Sequence, residues 1–414
     1  MNRRLFLERS SLGIIGLQTS AFQKLITTES KTFVYISSWT KGAPGQGGEG
    51  GIHVFSFNHN DGSLKHIHSI ESELNFGNIC ISHDNKFLFA VEEIKDFNHK
   101  TSSGGGVYAY IINQQNGSLS FINKQPTMGA FPCYLSVDKE TKLLVIANHG
   151  SYDSIMKTVR RENGNYEVIK NYDDGSVAVF PINEDGSISP ITYLDIHEGS
   201  GTHPFFQQSP HPHAVIFSKD DSFAVVCDKG NDSITFYSVD KNNSKLSVKT
   251  VYKTTVGVGP RHAVFHPHAP YLFVINEAVS SLTSYRFDAI NGTITEINTL
   301  PTIPSSFIDT NYPADIRVHP NGKFIYGSNR GHDSIVSFEI DQNIGKLTNP
   351  LFTAIQGKTP REFNITASGD LMLVGNQDTN TVSCFSIDAK NGALKFLKKT
   401  DNIPKPVCIQ FLNS

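Results

Sequence analysis

No stretch of the 414-residue sequence stays apolar over anything near the ~20 residues that a membrane-spanning helix needs. Neither sign of charge prevails: 39 acidic and 36 basic residues leave a net charge of -3, and no basic run exceeds a few residues. A membrane partner and a nucleic-acid partner are therefore not expected. The five cysteines, Cys80, Cys133, Cys227, Cys384 and Cys408, all lie in apolar, strand-like segments, and none forms a CxxC pair. An odd, scattered set is neither a disulfide framework nor a zinc site, so these thiols read as small apolar fillers of a β core. There is no Gly-x-Ser-x-Gly elbow for a serine nucleophile. The glycines between Gly42 and Gly51 lack the Lys-Ser/Thr of a phosphate-cradling loop and read as a flexible loop. No cofactor is expected.

What is present is glycine (33), phenylalanine (28) and tyrosine (14), without long runs of helical period. That combination means many short strands. One block recurs: Pro, a strand, a polar turn, a second strand, a polar stop, a third strand, then Asx-x-Gly-x-Leu. Clear copies start at Pro260, Pro313 and Pro360, and weaker ones near Phe76, Pro132 and Pro212. The earliest block begins with a second strand, Phe33-Val-Tyr-Ile-Ser37, and its missing first strand stands at the other end, Pro406-Val-Cys-Ile-Gln-Phe411. Six full copies and one split copy predict an all-β, seven-bladed β-propeller over residues 31–414, its ring closed by the C-terminal strand completing the N-terminal blade. Insertions at Ile94 to Gly106 and Ser151 to Asp174 are expected to be solvated excursions.

The repeat spacing also locates a site. The residue after the leading Pro opens the innermost strand, and sixteen residues later the second strand ends beside it, at the mouth of the axial channel. The first position runs Gly77, Cys133, His213, Arg261, Ala314, Arg361, Val407; the second runs Glu93, His149, Lys229, Glu277, Arg330, Gln377. So many ionisable groups at hairpin ends point to a funnel that holds a polar ligand, with His211, His262 and Asp315 next to it. Asn276, Asn329 and Asn376 read as turn residues bonding their own backbone. His266 and His268 fall in a turn at the far end of a blade and read as surface histidines, and no metal is expected.

At Ser209-Pro-His-Pro-His213, Gly259-Pro-Arg-His262, Ile275-Asn-Glu277, Ser328-Asn-Arg-Gly331 and Thr359-Pro-Arg361 the sequence resembles the lactonase family of seven-bladed propellers. That family includes propeller-type 6-phosphogluconolactonases and fungal carboxymuconate-lactonising enzymes. The resemblance spans roughly residues 32 to 412. It implies a small lactone or sugar-acid substrate and a catalytic set of His213 (or His211), Arg261, Glu277 and Arg330, the four that the blade register also selects. Substrate contacts are then expected from His211, His262, Asp315, Arg361, Gln377 and His149.

For a lactone hydrolase, His213 is the better proton carrier, because two guanidiniums beside Glu277 should hold that carboxylate ionised. Two other readings stand beside it: a muconate-type lactonising isomerase using the same residues, and a propeller that binds a ligand or partner without turnover. The start of the chain, Asn2-Arg3-Arg4-Leu5-Phe6-Leu7 followed by the mildly apolar Leu12 to Leu17, resembles a twin-arginine export signal. Residues 1–30 are accordingly expected to be a leader for periplasmic or other export, with a cytoplasmic location as the alternative.

Overall fold

The structure, a computed structural model, describes residues 32–39, 49–99 and 104–412. The expected leader and most of the Gly42–Gly51 loop lie outside the described residues. Seven four-stranded antiparallel sheets follow the repeat, and their innermost strands contact one another in a closed ring. Blade one is the split copy: Ser63–Ile70, Gly51–Asn58 and Thr32–Ser38, with Pro406–Leu412 as its inner strand. Phe33 pairs with Leu412 and Ser37 with Cys408, so the chain ends are joined by a strand ladder and leave no inner edge exposed. Blades two to seven open with Phe76–Ile81, Pro132–Val137, Pro212–Phe217, Pro260–Phe265, Tyr312–Val318 and Pro360–Ile365.

Hydrophobic packing lies between the blades. Each of the seven blade boundaries has its own cluster of buried side chains, such as Phe273, Ile275, Ile325 and Phe338 between blades five and six. The Asx-x-Gly-x-Leu signal has a packing reason. At Gly392 the backbone is left-handed (φ 70°), and an added Cβ would stand 2.6 Å from the Phe324 ring of the preceding blade. The Tyr326 hydroxyl then donates to the Gly392 carbonyl at 3.0 Å. Glycine serves both demands, and it returns at this turn in every blade but the fourth, where Ser244 takes the left-handed position (φ 50°).

Two local expectations are corrected, the first by this face-to-face packing and the second by bonds across a hairpin. His266 is buried, not on the surface, because blade six covers it; its Nε2 bonds the Gly322 carbonyl at 2.8 Å. His268 is exposed, as expected. Asn276, Asn329 and Asn376 do not bond their own turns. They are buried ends of second strands that donate to hydroxyls of the third, as Asn276 does to Ser281 and Thr283, both at 2.9 Å. The insertion within blade three, between its second and third strands, is a largely exposed hairpin, Ser154–Arg160 with Tyr166–Tyr172, as expected. The earlier insertion differs, since its Phe97 is buried against Tyr108.

Candidate active site

Every innermost strand carries a β-bulge at its channel end. In blade five Pro260 pairs with Asn276 and His262 with Ile275, so Arg261 is the extra residue between them. The same holds for Gly77, Cys133, His213 and Arg361, while blade six is offset over both Ala314 and Asp315. A bulge removes one residue from the ladder and re-aims its side chain. Seven bulges in one ring thus assemble the first of the two polar rings that the repeat spacing marks out. The second ring stands at the end of each second strand, where the Glu277 N–H donates to Gly259 and that of Lys229 to His211.

Around Glu277 the rings deliver one carboxylate and three cations. One oxygen of Glu277 lies 2.6 Å from the Lys229 Nζ and 3.7 Å from the Arg261 Nε; the other bonds the Arg330 guanidinium. Burial alone would raise the Glu277 pKa, but Lys229, Arg330 and Arg261 outweigh it and hold it well below the usual carboxylate range. Lys229 in turn is raised, its desolvation overcome by Glu277. Lys229 stands in the ring read from the sequence, yet its chemistry is clear only from this contact.

Arg261 is 1 % exposed. It donates to the Ala314 carbonyl at 2.6 Å and to the His262 ring at 2.9 Å, while its Nε is buried without a hydrogen-bond acceptor. Desolvation and the nearby Arg330 lower its pKa to about 10, still well above neutrality. His262 bonds Asp315 through Nδ1 at 3.1 Å, so its Nε2 can accept from Arg261. Asp315 also takes the Arg317 Nε at 3.0 Å. Asp315, expected to touch substrate, therefore lies one layer deeper and orients His262.

His213 lines the axis, buried beside His149 and His262, with ring centroids 5.5 and 5.1 Å away. Burial, then Arg261 and Lys229, drive its pKa well below 6.5, so it is neutral, and its Nδ1 has no hydrogen-bond partner. His211 is spoken for: Nδ1 donates to the His149 carbonyl at 2.8 Å and its ring stacks on His149 at 4.4 Å. Tyr152, from the root of the exposed hairpin, covers His211 at 4.6 Å and lies under the Lys229 ammonium. The Cys133 thiol is buried in the same ring, and burial and then Glu93 push its pKa up, so it is no nucleophile.

Two predicted residues stand apart from this cluster. Gln377 is partly exposed in a short 3-10 turn and bonds Asp378 at 3.3 Å. Arg361 pairs with Glu93 at 3.4 Å and stacks over Trp39 at 4.0 Å. Trp39 is the seventh member of the second ring, which sequence reading missed because blade one is split between the chain ends. Its signal was the strand end at Ser38, paired with Pro406. Among the described residues no cluster of three or more His, Cys, Asp or Glu has the arrangement of a metal site.

The family model described as lactonase, 7-bladed beta-propeller, matches residues 33–411. A 6-phosphogluconolactonase of Bacillus subtilis is 30% identical over 387 residues, covering 93% of this chain and 99% of its own. One from Formosa agariphila is 31% identical over 369 residues, covering 88% of this chain and 95% of its own. The solved periplasmic gluconolactonase of Pseudomonas aeruginosa is 25% identical, with a TM-score of 0.78 over 92% of this chain and 99% of its own. With its ring of bulged inner strands and its match from the first described strand to the last, the chain belongs to the lactonase family of seven-bladed β-propellers.

Proposed function

We propose that the protein is a lactone hydrolase whose axial funnel opens a sugar lactone by attack of water. The observation that carries this reading is the fan of Lys229, Arg261 and Arg330 around Glu277, beside a buried neutral histidine. In this scheme water adds to the lactone carbonyl carbon and His213 accepts its proton. The tetrahedral oxyanion lies against Arg261, whose Nε–H has no other acceptor, and Arg330. The carbon–oxygen bond of the ring then breaks, and the proton held by His213 passes to the departing alkoxide. Glu277 stays ionised throughout and keeps the three cations in register. The product hydroxy acid ionises and releases acid.

The names of the relatives speak for hydrolysis, and no observation favours the isomerase or the non-catalytic reading. Turnover in ¹⁸O-labelled water tests the proposal: one label should enter the product carboxylate, and an unlabelled product would exclude water attack. Export is part of the same reading. It rests on the arginine pair Arg3-Arg4, and a relative described as periplasmic agrees with it. No helix among the described residues is long and apolar enough to cross a membrane. Replacing both arginines with lysine should hold the protein in the cytoplasm; unchanged export would remove the twin-arginine assignment.

A further inference from the structure

Opposite the cationic fan, blades seven, one and two build a second polar cluster that the proposed chemistry does not use. The Trp39 indole N–H donates to Glu93 at 3.0 Å, and the Arg361 guanidinium lies on the Trp39 ring while facing the same carboxylate oxygen at 3.4 Å. Glu93 and Arg361 are both buried. Gly77 makes this possible: a Cβ there would stand 2.1 Å from the Glu93 carboxylate. Its φ is not left-handed, so space at the bulge, rather than backbone conformation, calls for glycine. Both clusters border one funnel, since Arg361 and Arg261 occupy the same bulge position, and Trp39, Glu93 and Glu277 the same second-strand end, around one closed ring of inner strands.

The two sides differ in charge. Three cations meet one carboxylate around Glu277, whereas Arg361 is matched one for one by Glu93. We infer that Trp39, Glu93 and Arg361 form a subsite for the uncharged, polyhydroxylated end of an aldonolactone, and that this subsite disfavours a phosphorylated one. This rests on the lactonase reading. A carboxylate accepts hydrogen bonds from hydroxyls, and an indole face covers the C–H side of a polyol chain. A phosphate carries about two negative charges, and against Glu93 it meets a like charge with the only nearby guanidinium of that cluster already paired.

Trp39 is the only tryptophan of the chain, so intrinsic fluorescence reports this subsite alone. Full-length protein is titrated with gluconate and with 6-phosphogluconate, alongside turnover of the two corresponding δ-lactones. Gluconate should change the Trp39 emission saturably, and the 6-phosphate should bind, and its lactone turn over, at least about tenfold more weakly. Glu93→Gln, nearly isosteric, should narrow that ratio toward one, and Gly77→Ala, which displaces Glu93, should do the same. Equal or tighter binding of the phosphate by the native protein overturns the inference, as does turnover without any Trp39 response. A Trp39 response with no turnover of either lactone leaves the subsite standing and overturns the hydrolase reading. Silence in both measurements overturns both.

Discussion

Arg261 keeps a full charge with almost no solvent contact, which is costly unless its surroundings replace water. Ala314, His262 and Glu277 do so on three sides, and Asp315 fixes the tautomer of His262 that accepts from it. Replacing Arg261 with alanine should lower kcat by about 10²–10³, the usual loss for one oxyanion donor, with KM moving less. A kcat within a factor of a few of the native value would remove Arg261 from the mechanism. The pH profile tests His213. Burial and adjacent cations disfavour its protonated form, so the base persists as pH falls. The acid limb of kcat/KM should have its midpoint well below 6.5, and a midpoint at or above 6.5 would assign the proton transfer to some other group.

At the scale of the element, the innermost strand is the unit that makes the site, and it does so through its bulge. The sixteen-residue interval brought Arg261 and Glu277 together correctly, because Pro260 pairs with Asn276 whatever happens at 261. The interval alone says nothing of the bulge, which arises where one strand must both pair and turn a side chain to the axis. Trp39 escaped notice for a different reason: its blade is completed by a strand some 370 residues away, so no local copy of the motif surrounds it. His266 differs because its covering blade is more than fifty residues away, and Asn276 because its side chain crosses the hairpin to hydroxyls of the third strand instead of folding back on its own backbone. The split blade itself carries a prediction. Val407, Ile409, Phe411 and Leu412 are buried, and at about 1.5–3 kcal/mol each they approach the whole ~5–15 kcal/mol of a folded domain. Removing residues 406–412 should abolish cooperative thermal unfolding and yield aggregating protein; a soluble truncation with a native-like melt would contradict closure of the ring by this strand.

Over the whole molecule, the ring brings charges from distant repeats together in one buried cluster. Asp315 and Arg317 of blade six meet Glu362 of blade seven and Asn78 of blade two, which donates to Glu362 at 2.8 Å. Of the two carboxylates Asp315 keeps its charge. Glu362 is raised to about 7 by burial and then by Asp315, and its second oxygen faces Arg317 only at 3.8 Å. Both folded and unfolded chains hold this proton below about pH 4.5. Between about 4.5 and 7 the unfolded chain releases it first, so stability falls as pH rises and levels off above 7, at a cost on the order of 3 kcal/mol. Glu362→Gln, which keeps an acceptor for Asn78, should raise the melting temperature at pH 8 and leave it nearly unchanged at pH 4.5. A variant that melts lower at pH 8 would show that Glu362 is stabilising as an anion.

Hydrolysis of a lactone at the Arg261–Glu277–Arg330 cluster is read out by acid release over a panel of δ- and γ-lactones, phosphorylated and not. Native protein, Arg261→Ala and Glu277→Gln are run side by side at matched folding, checked by circular dichroism. Native protein should release acid from at least one sugar lactone, with a loss of about 10² or more in both variants. Native protein inactive on every lactone, or variants as active as the native chain, would contradict it.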